Sequence, residues 1–201
     1  MQELKYKKLH PNAITPVRKY STDSGYDLAA CLDSPIVIPP AITYKLAEPE
    51  IEYDKIGKSY FTGKLVDKIQ PNKTLIPTGI AIDLPEPFWI NTFSNDSVEP
   101  KRIGLEWFKV KVVTEVQIRP RSGLANDHFV FCHFGTIDQQ YKGELKVNLY
   151  NFSDKPFVVE HGMRIAQMVV NLVVLPDELV EVTELTTSTR SNKGHGSTGV
   201  I

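Results

Sequence analysis

The sequence predicts an all-β fold: an antiparallel sandwich, jelly roll or barrel. Short apolar stretches rich in Val, Ile, Phe and Tyr are separated at close intervals by Pro, Gly, Asn or Asp, and several of them alternate with period two. Fourteen prolines, spread throughout 201 residues, argue against long helices. The strands do not alternate with helical patterns, as a parallel sheet would require.

The individual elements follow from these patterns. The clearest predicted strands are Thr74 to Leu84, Lys109 to Ile118, Phe129 to Phe134, Glu144 to Phe152, Pro156 to Glu160 and Gln167 to Leu175. One short helix is predicted after Arg121, where Ser122-Gly-Leu-Ala-Asn can form a turn or two. From Thr186 onward almost no apolar side chain is present, so the tail is predicted to be mobile on its own.

Composition limits the classes of function. The net charge is -1 and acids and bases are mixed along the chain, which gives no footprint for nucleic acid or for a membrane surface. Two cysteines, Cys31 and Cys132, form neither a disulfide framework nor a metal-ligand spacing, and they favour a reducing cytoplasm. The chain carries no signal-peptide pattern and no run of eighteen apolar residues. A single domain is expected.

Two segments carry groups suited to binding phosphate. They are Arg119-Pro-Arg121-Ser122-Gly123, and the tail with Arg190, Lys193, Gly194, Gly196, Ser197, Thr198 and Gly199. Glycine lets backbone N–H groups approach anionic oxygens, hydroxyls add donors, and arginine offers a planar fork. The plain alternatives are a turn in which Ser122 is a simple N-cap, and an ordinary disordered terminus.

Three further segments combine polar side chains with glycine. In the hairpin Gly135-Thr-Ile-Asp138-Gln-Gln-Tyr141-Lys-Gly143-Glu, a carboxylate could activate water and an aromatic ring could pack on a sugar. The others are Ser24-Gly25-Tyr26-Asp27-Leu28 and Gly162-Met-Arg164-Ile-Ala-Gln167. Taken singly, each is equally well a turn, a loop before a strand, or a polar strand edge.

Together the five segments resemble, in their order and in many of their residues, the five motifs of the dUTPase (deoxyuridine triphosphatase) family. The resemblance covers most of residues 17–40, 72–86 and 117–201. It implies a distorted jelly-roll or β-barrel subunit of the trimeric dUTPase type, with one short helix and extra strands from insertions. The whole chain, residues 1–201, is then one domain, with insertions at about 41–71 and 87–116 and a mobile C-terminal lid at 186–201.

The resemblance implies hydrolysis of dUTP to dUMP and pyrophosphate, which limits uracil in DNA and supplies dUMP for thymidylate synthesis. Asp138 would activate the attacking water, Tyr141 would exclude a ribose 2′-hydroxyl, and backbone groups of the hairpin would recognise uracil. The implied substrate-binding residues are Arg121, Ser122, Gly123, Gly135, Thr136, Ile137, Tyr141, Lys142, Gly143, Gln167, Arg190, His195, Gly196, Ser197 and Thr198. Mg²⁺ is the implied cofactor, with Asp27 contacting it through water. The implied assembly is a homotrimer with shared sites.

Some features depart from the family pattern and leave alternatives open. His195 stands where a uracil-stacking Phe is usual, and Cys132 stands where some relatives carry Asn. The second insertion is either a hairpin packed on the barrel or a surface for a protein partner. Rival functions are a dCTP deaminase relative, a regulatory protein that binds a partner through the insertions, and a purely structural jelly roll.

Overall fold

The structure, a computed structural model, describes residues 3–53, 59–94 and 106–187. Within these residues the chain forms fourteen strands and one short helix, which confirms the all-β class. The elements are β1 (Lys5–Lys8), β2 (Gly25–Ala29), β3 (Ile36–Ile38), β4 (Ile42–Tyr53), β5 (Ser59–Gln70), β6 (Asn72–Pro77), β7 (Ile80–Asp83), β8 (Phe88–Ser94), β9 (Glu106–Arg119), α1 (Ser122–His128), β10 (Val130–Cys132), β11 (Gly135–Ile137), β12 (Lys146–Asn151), β13 (Phe157–Val159) and β14 (Arg164–Leu175). No helix in the described ranges is long and apolar enough to span a membrane.

The largest sheet is antiparallel and has the order β11-β9-β14-β2, with β8 also pairing with β9. Strand β9 shows why the period-two pattern predicts a half-buried strand, because Val112, Thr114, Val116 and Ile118 are buried while the residues between them are partly exposed. Strand β14 lies beside β9 from Gln167 to Leu175. The sheet therefore has one face toward the core and one toward the surroundings.

A second sheet, in the order β10-β12-β6, supplies the other side of the core. Its inward side chains, including Ile76, Val147 and Leu149, lie in one buried cluster with Leu28 and Val116 of the first sheet. Small two-stranded pairings, β1 with β7 and β3 with β13, complete the body. Burial of apolar side chains from both layers in a single core is what holds the two sheets together.

One local prediction is wrong, and one of the plain alternatives is excluded. The stretch Thr74 to Leu84 is two strands rather than one, since β6 ends at Pro77 and Gly79 has a φ of 66°, which glycine adopts without strain. The helix does not use Ser122 as its N-cap: Arg121 occupies that position and makes no side-chain cap hydrogen bond. Ser122 is instead the first helical residue, and its side chain is exposed.

The two stretches that are unmatched in the family pattern contain additional strands. Strands β4 and β5 pair with each other over their full length, from Ile42 opposite Gln70 to Tyr53 opposite Ser59. Strand β8 extends the large sheet by pairing with β9. Trp89 on β8 is 56% exposed, so β8 joins the body through its pairing with β9 rather than by burying the Trp89 ring.

Candidate active site

A polar cavity of about 340 Å³ lies where β2, the start of α1 and β14 meet. Three of the motif segments line it. Ser24, Gly25 and Asp27 come from the first, Arg121, Ser122 and Gly123 from the second, and Arg164 and Gln167 from the fourth. Lys19 and Asp23, which the sequence analysis did not single out, also line it. We call this cavity the phosphate pocket, after the chemistry of its donors.

Strand pairing brings these distant segments together. Asp27 of β2 lies opposite Gln167 of β14, and Gln167 also lies opposite Arg119 at the end of β9. The Gln167 amide nitrogen donates a hydrogen bond to the Pro120 carbonyl at 3.2 Å. A Cβ atom on Gly25 would lie 2.5 Å from the Gln167 side-chain oxygen, so only glycine allows this approach. The register therefore fixes the floor of the pocket.

The Asp27 carboxylate organises the arginines of the pocket. It lies 2.9 Å from Nε of Arg121 and 3.3 Å from Nη1 of Arg164, and its side chain is only 18% exposed. Arg121 also donates a hydrogen bond from Nη1 to the Arg164 carbonyl at 3.0 Å. Charge-assisted hydrogen bonds of this kind hold guanidinium groups in a fixed orientation. Both arginines are thus already positioned at the pocket.

The hairpin segment lies at the edge of the large sheet. Strand β11 pairs with β9, and the Tyr141 backbone N–H donates to the Asp138 carbonyl at 3.0 Å to close the turn. The Asp138 side chain is exposed and has no hydrogen-bond or ion-pair partner among the described residues. The Tyr141 hydroxyl donates to the Glu144 carbonyl at 3.0 Å, and the ring is 45% exposed.

Three contacts hold the end of the hairpin against the barrel. The Gly79 N–H donates to Oε1 of Glu144 at 2.8 Å, and the Leu145 N–H donates to the Ile80 carbonyl at 2.7 Å. The Lys142 ammonium forms an ion pair with Asp83 of β7. The hydrogen bond and charge of Lys142 lower the pKa of the Asp83 carboxyl. Asp83 lies in the stretch 72–86 that the resemblance covers, but the motifs gave no sign of its pairing with Lys142, because the two residues are far apart in sequence.

We expect the Asp83–Lys142 pair to contribute stability in a pH-dependent way. Because the folded-state pKa of Asp83 is lowered, the contribution is present above the unfolded pKa and disappears as the pH falls through the folded pKa. The melting temperature of Asp83→Asn should therefore lie slightly below that of the wild type at neutral pH and match it in acid. Asp177→Asn, at an exposed carboxylate, is the control. A gap that stayed the same in acid would contradict this role.

The absence of a side chain at Gly143 leaves the space that the Tyr141 ring occupies. A Cβ atom there would lie 2.5 Å from the Tyr141 hydroxyl oxygen and 2.6 Å from Cζ, so Gly143→Ala must displace the ring. Because the displaced hydroxyl loses its hydrogen bond to the Glu144 carbonyl, we expect a loss of about 0.5–1.5 kcal/mol in the free energy of unfolding, measured by denaturant titration. Gly123→Ala is the control for an added methyl group without a clash, because a Cβ there meets only Asp127, at 4.0 Å; since Gly123 lies in α1, this variant should gain up to about 1 kcal/mol. Equal stability of both variants would show that the ring moves freely.

No residue of the hairpin lines the phosphate pocket in the described part of the chain. Phe134, directly before the hairpin, belongs to an exposed aromatic face with Phe131 and Phe152, and the partly buried Tyr150 completes the lining of its open groove of about 530 Å³. Phe134 is 69% exposed. Cys132 lies under this groove, and burial raises the pKa of its thiol to about 11. Both cysteines are free, as expected.

Some predicted site residues fall outside the described residues. They are Arg190, His195, Gly196, Ser197 and Thr198. The described residues contain no group of three or more His, Cys, Asp or Glu side chains arranged to hold a metal ion.

Comparison with known proteins identifies the family. The sequence model of the dUTPase family matches residues 104–199. A deoxyuridine 5'-triphosphate nucleotidohydrolase from Hydrogenobaculum sp. is 36% identical over 200 residues, which cover 98% of this chain and 99% of the relative. The chain belongs to the dUTPase family. A second deoxyuridine 5'-triphosphate nucleotidohydrolase, from Arabidopsis thaliana, is 32% identical over 196 residues, which cover 98% of this chain and 82% of the relative.

Solved dUTPase structures share the fold. The Staphylococcus bacteriophage 80alpha dUTPase with dUpNHpp has a TM-score of 0.64 and 23% identity, with all of both chains covered. A dUTPase mutant from phage phi11 of S. aureus, described as coordinating a structural Mg(II) ion, has a TM-score of 0.58, with 19% identity and 92% of this chain covered. These likenesses confirm the predicted dUTPase-type jelly-roll fold.

Within the dUTPase framework, the motifs located the pocket but did not reveal its charge pairing. Asp27, Arg121 and Gln167 lie together, as their motifs suggested. Arg164 belongs to a motif that the sequence analysis identified, but nothing in the sequence indicates that it forms an ion pair with Asp27. The basic pair Arg18-Lys19, shortly before the first motif, was the available signal for a further cation.

Proposed function

We infer that this chain hydrolyses dUTP to dUMP and pyrophosphate. The observation that carries this inference is the phosphate pocket, in which Asp27, Arg121 and Arg164 converge from three motif segments. Such a cluster of preorganised donors suits a polyphosphate and the charge that develops during its hydrolysis. The name shared by the near full-length relatives supports dUTP as the substrate.

Asp138 is the proposed general base. Its exposed carboxylate, without a partner among the described residues, is available to align a water molecule and accept its proton. The water oxygen forms a bond to the α-phosphorus while the bond from that phosphorus to the bridging oxygen breaks. Pyrophosphate leaves with the bond electrons. Arg121, Ser122, Gly123 and Gln167 bind the phosphates that carry the growing charge.

The hairpin is proposed to select the nucleoside. Among the described residues, β11 pairs with other strands only through β9, so backbone groups of Gly135, Thr136 and Ile137 on its other edge are available to a base. Backbone groups of Lys142 and Gly143 complete the recognition of uracil. The half-exposed Tyr141 ring packs against the deoxyribose and leaves no room for a 2′-hydroxyl.

The donor set of the pocket fits a Mg²⁺ ion that is carried mainly by the substrate. The described residues offer no protein cage, and the Asp27 carboxylate is the acidic group already beside the arginines. Mg²⁺ commonly binds through phosphates and retains water, and Asp27 would contact it through such a water. When bound, the ion would neutralise phosphate charge.

We propose that the active sites are shared between subunits of a homotrimer. The pocket contains no described residue of the hairpin, so a complete site needs the hairpin of another copy. The exposed aromatic face beside the hairpin would be covered by the same contact. Arg190, His195, Gly196, Ser197 and Thr198, in the lid at 186–201, would close over the nucleotide. The chain is a single domain in this proposal, with 41–71 and 87–116 as insertions.

Pyrophosphate release from dUTP, UTP, dCTP and dTTP tests the function. We expect rapid release from dUTP alone, since UTP meets Tyr141 and dCTP presents its donors and acceptors in reverse order. Conversion of dCTP to dUTP would instead indicate a deaminase. No release from dUTP in the presence of Mg²⁺ would refute the proposed function.

A further inference from the structure

The loop before β2 presents one lysine to the phosphate pocket. The loop is closed by the Asp23 N–H, which donates to the Tyr20 carbonyl at 3.1 Å, and by the Tyr20 N–H, which donates to Oδ2 of Asp23 at 2.9 Å. Its base is joined to β2 through the Asp27 N–H, which donates to the Val17 carbonyl at 2.8 Å. Lys19 is therefore carried on a loop tied to the strand that holds Asp27.

The two adjacent cations of this loop have different surroundings. The guanidinium carbon of Arg18 lies 4.7 Å from the centre of the Tyr26 ring, and Nη1 donates to the Asp23 carbonyl at 3.3 Å. Arg18 is thus occupied in holding the loop. Lys19 lines the pocket, with its ammonium 5.3 Å from the centre of the Tyr20 ring. An aromatic ring on one side leaves the N–H donors of the ammonium available to an anion.

The charges of the pocket distinguish Lys19 from the two arginines. Arg121 and Arg164 both form ion pairs with Asp27. The Asp23 carboxylate accepts the Tyr20 N–H and makes no ion pair with Lys19. In the described part of the chain, Lys19 is therefore the pocket cation that has no carboxylate partner.

We propose that Lys19 binds the polyphosphate of the nucleotide, as a phosphate-binding residue outside the five motif segments. The inference rests on the proposed function, because it assigns an added contact to the same substrate. An anion entering the pocket meets the Lys19 charge without displacing an internal partner, whereas each arginine is already shared with Asp27. Because Lys19 is exposed and has no hydrogen-bond or ion-pair partner in the described structure that fixes its ammonium before an anion enters, it contributes to binding of the phosphates rather than to the chemical step.

Calorimetric titration with inorganic tripolyphosphate and with a non-hydrolysable dUTP analogue tests this proposal. Lys19→Met should bind both about fivefold or more weakly than the wild type. Lys19→Arg should stay within about twofold, because it keeps the charge. Lys7→Met, at an exposed lysine of β1 outside the pocket, is the matched control and should bind normally. The affinity of the wild type should also fall more steeply with added salt than that of Lys19→Met.

Equal affinity of Lys19→Met and the wild type for both probes would overturn the proposal, as would an equal loss in Lys7→Met. For dUTP turnover we expect KM to rise with kcat within about twofold, and a fall in kcat alone would also contradict a binding role. Failure of the proposed function can be distinguished from failure of the Lys19 proposal. If the wild type does not cleave dUTP, the proposed function fails, but the comparison of tripolyphosphate binding between the wild type and Lys19→Met still tests Lys19.

Discussion

Asp138→Asn is expected to lower kcat for dUTP hydrolysis by roughly 10³-fold, within the range of about 10²–10⁴ for losing a general base. The amide is nearly isosteric with the carboxylate but cannot accept the proton of the attacking water. Asp138 is exposed and its side chain makes no hydrogen bond or ion pair in the described structure, so the substitution should leave the fold unchanged. Pyrophosphate release at saturating dUTP and Mg²⁺ measures the effect.

Two controls separate loss of chemistry from loss of binding. Affinity for a non-hydrolysable dUTP analogue should stay within about twofold in Asp138→Asn, since the phosphate contacts lie elsewhere. Asp154→Asn, at an exposed carboxylate in the turn between β12 and β13, should keep full activity. A variant Asp138→Asn that hydrolyses dUTP at the wild-type rate would remove Asp138 from the mechanism.

Mixing two inactive variants should restore activity. Asp138→Asn removes the proposed base from the hairpin and leaves the phosphate pocket intact. Arg121→Gln removes a phosphate-binding group from the pocket and leaves the hairpin intact. If each site takes its hairpin from one subunit and its pocket from another, random trimers from an equal mixture have intact components in about a quarter of their sites. Co-refolded mixtures should therefore show roughly a quarter of wild-type activity, where each variant alone shows almost none.

A double variant carrying both substitutions provides the matching control. Mixed equally with wild-type chains, it should leave about a quarter of the sites active if sites are shared, but about half if each site lies within one chain. Mixtures of the single variants that remain inactive, together with a half-active control mixture, would refute the shared site. Light scattering checks that the mixed chains remain trimeric.

The two long strands illustrate what could be predicted locally. Alternation in Lys109 to Ile118 predicted β9, because a strand with one buried face must alternate, and the short apolar run Gln167 to Leu175 predicted β14. The break at Gly79 was missed, since a six-residue strand and a four-residue strand in tandem have the same apolar pattern as one long strand. Only the backbone conformation of Gly79 distinguishes the two cases.

The hairpin shows a similar division. The turn could be predicted from the sequence, because the residues that form it, its glycines with Asp138 and Tyr141, are close together in the chain. Its attachment could not. Asp83 forms an ion pair with Lys142, and Gly79 donates to Glu144, because β7 lies beside the hairpin in the folded chain. Those contacts join segments that no local pattern relates.

The sequence by itself determined the all-β class and the order of the motif segments, because strand alternation, turn residues and short motifs are local properties of the chain. Only the tertiary structure decided that Asp27 lies between Arg121 and Arg164 and that Lys19 lines the same pocket. It also decided that no described residue of the hairpin lines this pocket. The physical reason is that these relations depend on the register of β2, β14 and β9. That register is set by how apolar side chains distant in sequence pack into one core.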